Sequence, residues 1–174
     1  MTTSIEVLDD AFGRIRSTVR STLKGLTPEQ LTARVAPGAN TIAWLTWHLA
    51  RVQDDHVADA AGTAQVWHEG GWQARFGLPF APDATGYGQS ADEVGQVAGP
   101  GVTAESLAGY LDAVTEATSA YLATLDDADL DRVVDENWDP PVTLAVRLVS
   151  VVSDDLQHAG QAAFARGIVT AAAS

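Results

Sequence analysis

The segment SDDLQHAGQAAFARG, residues 153–167, places an aspartate and a histidine four positions apart in a sequence of helical type. Asp154 and His158 therefore lie on the same face of the predicted helix, close to each other. Two side chains in that arrangement can grip one metal ion. They can equally form a hydrogen bond or an ion pair at the edge of a buried face, and spacing alone favours this second interpretation.

A third residue of similar chemistry lies on an earlier predicted helix, where His48 is centred on the apolar face. A buried imidazole without a hydrogen bond or a metal costs about a few kcal/mol, so His48 must have a partner. Taken alone, it is best interpreted as a satisfied core histidine. With Asp154 and His158 on another helix, a shared metal ion becomes a competitive interpretation, because three protein ligands and one open position are typical of catalytic zinc sites.

Several neighbouring residues could orient these ligands or contact a substrate. Gln161, about one turn beyond His158, carries an amide suited to either role. Gly160 is unfavourable inside a helix and predicts the close approach of a ligand or of another backbone. The further candidates in this group are Trp44, Gln157 and Trp138.

The two other histidines are weaker candidates. His56 lies about two turns from His48 and therefore cannot share its metal ion. Its acidic neighbours predict a solvated helix end. These neighbours are Asp54, Asp55 and Asp59. His68 lies in a long loop, where it either enters a substrate pocket or faces water.

Four long segments must position these residues. In each of them apolar residues recur at steps of three and four, which predicts an amphipathic helix. The segments are 4–24, 41–61, 104–125 and about 142–167, with a short helical turn over 27–31. Because no segment shows a convincing strand pattern, we predict an all-α fold, an antiparallel four-helix bundle.

In the fourth helix, the predicted buried stripe leaves Asp154 and His158 at its margin. The stripe consists of Ala145, Val149, Val152, Leu156, Ala159 and Ala163, and Leu144, Leu148 and Val151 widen it. A marginal position is compatible both with a metal ligand and with a boundary ion pair.

The segment 62–102 is too long for an ordinary connection between helices, and such loops are usually functional or disordered. Its aromatic residues favour a packed excursion, such as a lid, between the second and third long helices. They are Trp67, Trp72, Phe76, Phe80 and Tyr87. We expect a single domain over residues 1–174, since the chain is too short for two domains of ordinary size.

Composition excludes several classes of function. Ten basic against 23 acidic residues give a formal net charge of -13, and no run of Lys or Arg offsets it, so nucleic acid is not an expected partner. The chain has no cysteine, which restricts metal ligands to His, Asp, Glu or backbone oxygen. No apolar run approaches membrane-spanning length and the N-terminus lacks the pattern of a signal peptide, which predicts a cytoplasmic protein without a membrane partner.

Three segments, in their order and separation, resemble the DinB-like superfamily of four-helix proteins. They are NTIAWLTWHLARVQ, WDPPVTLAVRLVS and DDLQHAGQAAFARG. The chain is most similar to the actinobacterial branch, which includes the N-terminal domain of mycothiol-dependent maleylpyruvate isomerase and the mycothiol S-transferases. The resemblance spans essentially the whole chain.

The resemblance implies a divalent metal, zinc or else nickel, held by three histidines from the second and fourth long helices. One histidine maps onto His48 and another onto His158. Asp154 occupies the remaining position, where a histidine is more usual. Aspartate can bind zinc, but its negative charge lowers the net charge of the centre and makes the ion a weaker Lewis acid.

The resemblance also implies an activity. A small thiol, mycothiol in actinobacteria, would bind the open position as its thiolate and attack a small electrophile. We therefore expect a metal-dependent thiol S-transferase of the detoxification type or a related isomerase, with a homodimer as an expected assembly. The alternatives are a non-catalytic metal- or ligand-binding bundle and a metal-free protein with a buried hydrogen-bonded cluster.

Overall fold

Four long helices form the body of the protein, in a computed structural model that describes residues 1–171. They are α1 (Ser4–Leu23), α3 (Ile42–Ala61), α7 (Ala104–Leu122) and α8 (Leu144–Ala171). α3 packs mainly on α7 and α8, and α1 packs on the same two helices. Each long helix therefore has two long neighbours, which confirms the predicted all-α four-helix bundle. Within the described residues, no helix combines the length and apolar content that a membrane crossing requires.

Threonine side chains set the starts of three long helices. Thr3, Thr41 and Thr103 each precede a helix and accept a hydrogen bond from the backbone N–H three residues further on. α8 runs beyond its predicted end at Gly167, because a glycine inside a helix costs only about 1 kcal/mol. Val169, two residues later, packs against the core and offsets that cost.

Short elements occupy the connections. They are α2 (Pro28–Thr32), α4 (Val66–Glu69), α5 (Trp72–Phe76), α6 (Ala91–Val94), a 3-10 helix at Asp129–Asp131, and the strands β1 (Val133–Asp135) and β2 (Val142–Thr143). The strands pair antiparallel just before α8. The sequence did not reveal this pair, because strands of two or three residues are too short to show an alternating pattern.

The buried face of α8 differs from the predicted one. Its buried residues are Leu144, Leu148, Val151, Asp155, Ala159, Ala162 and Ala165. Val149 and Leu156, which the prediction placed on the buried stripe, are 58% and 50% exposed. Apolar residues surround this helix on nearly every side, so their spacing does not single out one face. Asp154 and His158 are half-buried, at the margin of the observed face as expected.

The opposite face of α8 carries a row of exposed apolar side chains. They are Val146, Val149, Leu156, Phe164 and Ile168. Gly160 lies in this row, and a Cβ atom built on it meets no other atom within 4 Å. The alternative that another backbone approaches Gly160 is therefore wrong among the described residues, and the approach of a ligand stays a prediction.

A buried polar network on α3 holds the excursion of residues 62–102. Asp54 is only 4% exposed, although it was predicted to belong to a solvated helix end. Its carboxylate accepts the backbone N–H groups of Val66 at 2.9 Å and Trp67 at 2.7 Å, and also the hydroxyl of Tyr110 at 2.7 Å. Asp54 therefore fixes the start of α4 against α3 and α7.

Arg51 completes this network with a charge of the opposite sign. Its side chain is fully buried, and Nη1 lies 3.5 Å from Asp54 Oδ2 and donates to the Tyr110 hydroxyl at 3.2 Å. Nε donates to the backbone carbonyl of Ala84 at 3.1 Å. The guanidinium also lies 5.0 Å from the centre of the Trp67 ring, within the range of a cation–π contact. Arg51 therefore binds the later half of the excursion as Asp54 binds its beginning.

The aromatic residues of the excursion pack as predicted, with one exception. Trp67 and Phe76 are buried and both contact the ring of Tyr110. Tyr87 is 92% exposed, so the prediction that it packs was wrong. It lies between two glycines of positive φ, Gly86 and Gly88.

We predict that Asp54→Ala destabilises the protein by about 3–5 kcal/mol, because Arg51 would be left buried without its counter-charge. The excursion should also become sensitive to limited proteolysis, since its anchored N–H groups lose their acceptor. Urea denaturation and digestion of the folded protein measure the two effects. Asp59→Ala is the matched control, an exposed aspartate on the same helix. Equal stability of the two variants would contradict the role given to Asp54.

Candidate metal centre

Two helices bring three potential ligands together. His48 comes from α3, and Asp154 and His158 come from α8; each offers one ligand atom, and the three atoms lie within 4.8 Å of one another. His48 Nε2 lies 4.0 Å from Asp154 Oδ2, and His158 Nε2 lies 3.6 Å from Asp154 Oδ1. The structure thus assembles the group that the sequence predicted.

The excursion orients the ring of His48. Its Nδ1 lies 2.6 Å from the backbone carbonyl of Thr85. Because a carbonyl only accepts, Nδ1 carries a proton, and in the neutral ring Nε2 presents its lone pair towards Asp154. Trp44 stacks on the same ring, with centroids 4.5 Å apart.

Gly86 permits this close contact between the excursion and His48. It adopts φ +97°, and a Cβ there would lie 2.7 Å from His48 Nδ1. Only glycine combines this backbone conformation with the absence of a side chain. Gly86 was not among the residues predicted from the sequence, although a GYG segment inside a long loop is a signal of a constrained turn.

His158 is oriented in the same way by its own helix. Its Nδ1 donates to Gln161 Oε1 at 3.0 Å, which leaves Nε2 facing Asp154. Gln161 therefore takes the orienting role that its sequence position suggested. Hydrogen bonds to the far nitrogen of a metal-binding histidine fix both ring orientation and tautomer in known metal sites.

The environment of the Asp154 carboxylate shows whether the cluster fits a metal ion. Its Oδ2 is buried and has no hydrogen-bond partner among the described residues. A buried carboxylate oxygen without a partner is costly, and a divalent cation between it and the two Nε2 atoms would satisfy it. Two imidazoles and one carboxylate form a donor set that binds zinc, so the residues present fit the expected metal.

Two of the three residues, His48 and Asp154, are in the protonation state that a metal ligand requires. Burial lowers the pKa of His48, which keeps its imidazole neutral. The hydrogen bond with His158 lowers the pKa of Asp154 and keeps it ionised. The same hydrogen bond raises the pKa of His158, so a metal ion must displace a proton there.

The neighbouring acid, Asp155, has a different environment. It is fully buried in the contact face of α8, and neither carboxylate oxygen has a hydrogen-bond partner among the described residues. Burial, followed by the charge of Asp154, raises the pKa of Asp155 well above its ordinary value. Asp155 is not among the three clustered ligands, so the two consecutive acids of the sequence have separate surroundings.

A cleft of about 650 Å³ opens beside this cluster. Its lining includes His48, Asp154, His56, Arg147, Tyr87 and Trp138. Trp138 is 66% exposed at the cleft, where the sequence had suggested a substrate contact. The structure adds His56, which was predicted as a weaker candidate in a solvated helix end, and Arg147, which was not predicted.

Two other residues that the sequence suggested, Gln157 and His68, lie outside the ligand cluster and the cleft. Gln157 is exposed, and its amide donates to the Ser153 carbonyl at 3.1 Å instead of reaching the cluster. His68 is exposed and contacts Gln73, so of the two alternatives it faces water. Neither residue is among those that line the cleft.

Comparison with known proteins places the chain in a family. Residues 7–171 match the sequence profile of the mycothiol S-transferases. The chain belongs to this family. It is also similar to a solved structure described as a conserved protein from Enterococcus faecalis, with 27% sequence identity and a TM-score of 0.90, covering 98% of this chain and 99% of the other. No curated protein matches the chain.

Membership of the mycothiol S-transferase family confirms the resemblance inferred from the sequence. It implies a thiol substrate and mycothiol as that thiol. The described residues add a His-Asp-His group able to hold a metal ion.

We predict that Asp154→Ala weakens zinc binding by at least about 100-fold, because loss of a direct ligand should exceed the roughly 10–100-fold cost of losing an outer hydrogen-bond partner. Asp154→His should retain the metal, since imidazole is an equivalent ligand. Competition with a chromophoric chelator measures both affinities. Asp155→Asn is the control, a neighbouring acid outside the cluster. Unchanged affinity in Asp154→Ala would show that this residue is not a ligand.

We also predict that zinc affinity falls as the pH falls through the raised pKa of His158. Below that pKa one proton must leave for each ion bound, so the apparent dissociation constant should rise about tenfold per pH unit. The pKa of His158 lies above its ordinary value of 6.5, so the fall in affinity should begin above pH 6.5. Calorimetric titrations across this range, in buffers of different ionisation enthalpy, count the protons released. An affinity that does not change on acidification would contradict the assignment.

Proposed function

We propose that this protein is a divalent-metal-dependent thiol S-transferase that joins a small thiol to a small electrophile. The supporting observation is the unpartnered Oδ2 of Asp154, which faces His48 Nε2 beside an open cleft in a chain of the mycothiol S-transferase family. Three protein ligands beside open space leave room for a further ligand from outside the protein.

The proposed division of roles follows from the contacts. A divalent cation held by His48, Asp154 and His158 would lower the pKa of a coordinated thiol and make the thiolate available at neutral pH. Thr85 and Gln161 would keep the two imidazoles in the tautomer that presents Nε2. The cleft would hold the electrophile beside the sulfur, and reduced translational freedom would favour the attack.

The thiol must come from outside the chain. The protein has no cysteine, so an attacking sulfur belongs to a second substrate, and the family points to mycothiol. We propose zinc as the metal, with nickel as the alternative. Asp154 in place of a third imidazole makes the centre less electrophilic, which would reduce the shift of the thiol's pKa.

Asp154 also favours a second candidate function. A metal- or ligand-binding bundle without catalysis would tolerate Asp154, because binding does not require a strong Lewis acid. A metal-free cluster is the further alternative, supported by the 3.6 Å approach of His158 to Asp154. Metal content separates this last alternative from the other two, and enzyme assays separate those two.

We propose that the protein acts in the cytoplasm. A reaction that consumes a reduced low-molecular-weight thiol fits the cytoplasm, where thiols stay reduced.

The homodimer remains a prediction, and the exposed apolar row on α8, which includes Phe164 at 70% exposure, is the surface best suited to it. Sedimentation equilibrium measures this assembly.

We predict that the zinc-loaded protein conjugates mycothiol to a fluorogenic electrophile, such as a halomethyl bimane, above the uncatalysed rate. His158→Ala should lower kcat/KM by at least about 100-fold, because the cation that activates the sulfur is lost. A chelator should abolish the activity and added zinc should restore it. Fluorescence of the thioether product measures the rate.

The matched control is His68→Ala, which removes an exposed histidine outside the cleft. No rate above background, with metal bound and several thiols tried, would exclude the transferase and favour the binding bundle. A purified protein that binds no divalent ion would support the metal-free cluster.

A further inference from the structure

His56 lies in the cleft next to the metal ligands, and its ring is held in one orientation. It belongs to α3, two turns beyond His48, and lines the same cleft as Asp154. Arg147 Nη1 lies 2.8 Å from its Nδ1. Arg147 is itself fixed by Asp135, whose carboxylate lies 2.9 Å from Nη2. The contact between His56 and Arg147 is therefore part of a chain of three residues.

This contact determines which ring nitrogen carries the proton. A guanidinium has only N–H donors, so Nδ1 of His56 must accept. A neutral imidazole that accepts at Nδ1 carries its proton at Nε2. Burial, and then the charge of Arg147, lower the pKa of His56 and favour the neutral ring, against the opposing influence of Asp55 and nearby aspartates.

The remaining nitrogen is free to bind a ligand. No group among the described residues makes a hydrogen bond to His56 Nε2, and the side chain is 38% exposed. His56 thus lines the cleft that also contains His48 and Asp154, and its only ring N–H is at Nε2. His48 differs, because its Nδ1 proton is used by Thr85.

We propose that His56 donates a hydrogen bond from Nε2 to an oxygen of the electrophile, and that the preferred electrophile is an uncharged α,β-unsaturated carbonyl compound. This inference rests on the proposed thiol transfer and names its substrate class. A carbonyl oxygen accepts such a bond well, whereas a halogen leaving group is a poor acceptor.

The chemistry of addition explains the benefit of this donor. The sulfur lone pair forms the C–S bond at the β-carbon, and the π electrons of the C=C bond move to give an enolate. Negative charge develops on the carbonyl oxygen, which the Nε2–H stabilises while the imidazole stays neutral. Water then protonates the α-carbon, and the hydroxide left behind is neutralised by the proton that the thiol released when it became a thiolate. The net reaction adds the thiol across the C=C bond, and no other reactant is required.

The charges in the cleft argue against an anionic electrophile. Among the described residues, Arg147 is the only Lys or Arg that lines the cleft, and its Nη1 and Nη2 already contact His56 and Asp135 respectively. Three carboxylates, Asp55, Asp135 and Asp154, line the same cleft. An added carboxylate on the electrophile would find no free cation among these protein groups.

The test compares two electrophiles with one thiol in the zinc-loaded full-length protein. Mycothiol transfer to cyclohexenone should fall about 100-fold in His56→Phe, as for the loss of one oxyanion donor, while transfer to allyl bromide should stay within about threefold. His56→Gln, whose amide can place an N–H near the position of Nε2, should recover most of the enone activity. A carboxylated cyclohexenone should react more slowly than the parent compound. His68→Phe is the matched control.

A binding measurement tests the hydrogen bond without catalysis. Cyclohexanone labelled with carbon-13 at its carbonyl lacks the C=C bond and cannot react. Its carbonyl stretch should shift to lower frequency in complex with the native protein and lose that shift with His56→Phe. Nitrogen-15 chemical shifts should show the His56 proton on Nε2.

The outcomes are distinct. Equal losses with both electrophiles in His56→Phe, or no loss with the enone, would overturn the inference while leaving thiol transfer intact. An unshifted carbonyl band in the native protein, or a proton on Nδ1, would overturn it independently of turnover. Absence of transfer to either electrophile in the native protein would instead reject the proposed function, and the infrared band would still decide whether His56 binds a carbonyl.

Discussion

The buried pair of Arg51 and Asp54 is the constraint on which the rest of the structure depends. Charges removed from water must be paired, and backbone groups of the excursion and the hydroxyl of Tyr110 contact this pair, while Arg51 Nη2 has no hydrogen-bond partner among the described residues. The excursion therefore has one position on the bundle. That position places the Thr85 carbonyl on His48, so a salt bridge outside the cluster decides which nitrogen of His48 faces Asp154.

The two helices that supply the potential metal ligands orient them in different ways. α3 contributes a buried ligand, His48, whose orientation depends on distant parts of the chain. α8 contributes Asp154 and His158, whose orientation depends on the helix itself and on Gln161. One half of the centre is thus built from tertiary contacts and the other from local ones. A defect in the excursion should disturb His48 and leave the α8 pair in place.

The sequence predicted what depends on periodicity and missed what depends on packing. Helix spacing located the four long helices and placed Asp154 and His158 on one face. It failed on the buried side of α8, where apolar residues surround the helix and only contact with α1 and α3 selects a face. It also assigned Asp54 and His56 to solvent, because the partners that enclose them, Tyr110 and Arg147, are distant in sequence.

The ligand cluster lies within the contact between α3 and α8, the largest contact between any two elements in the described residues. His48 and Asp154 are far apart along the chain, so an unfolded chain cannot present both to one ion without a large loss of entropy. An ion bound there would select the folded state, and each tenfold increase in its free concentration above the dissociation constant would add about 1.4 kcal/mol of stability. The supply of metal would then set the free energy of unfolding as well as the occupancy of the site.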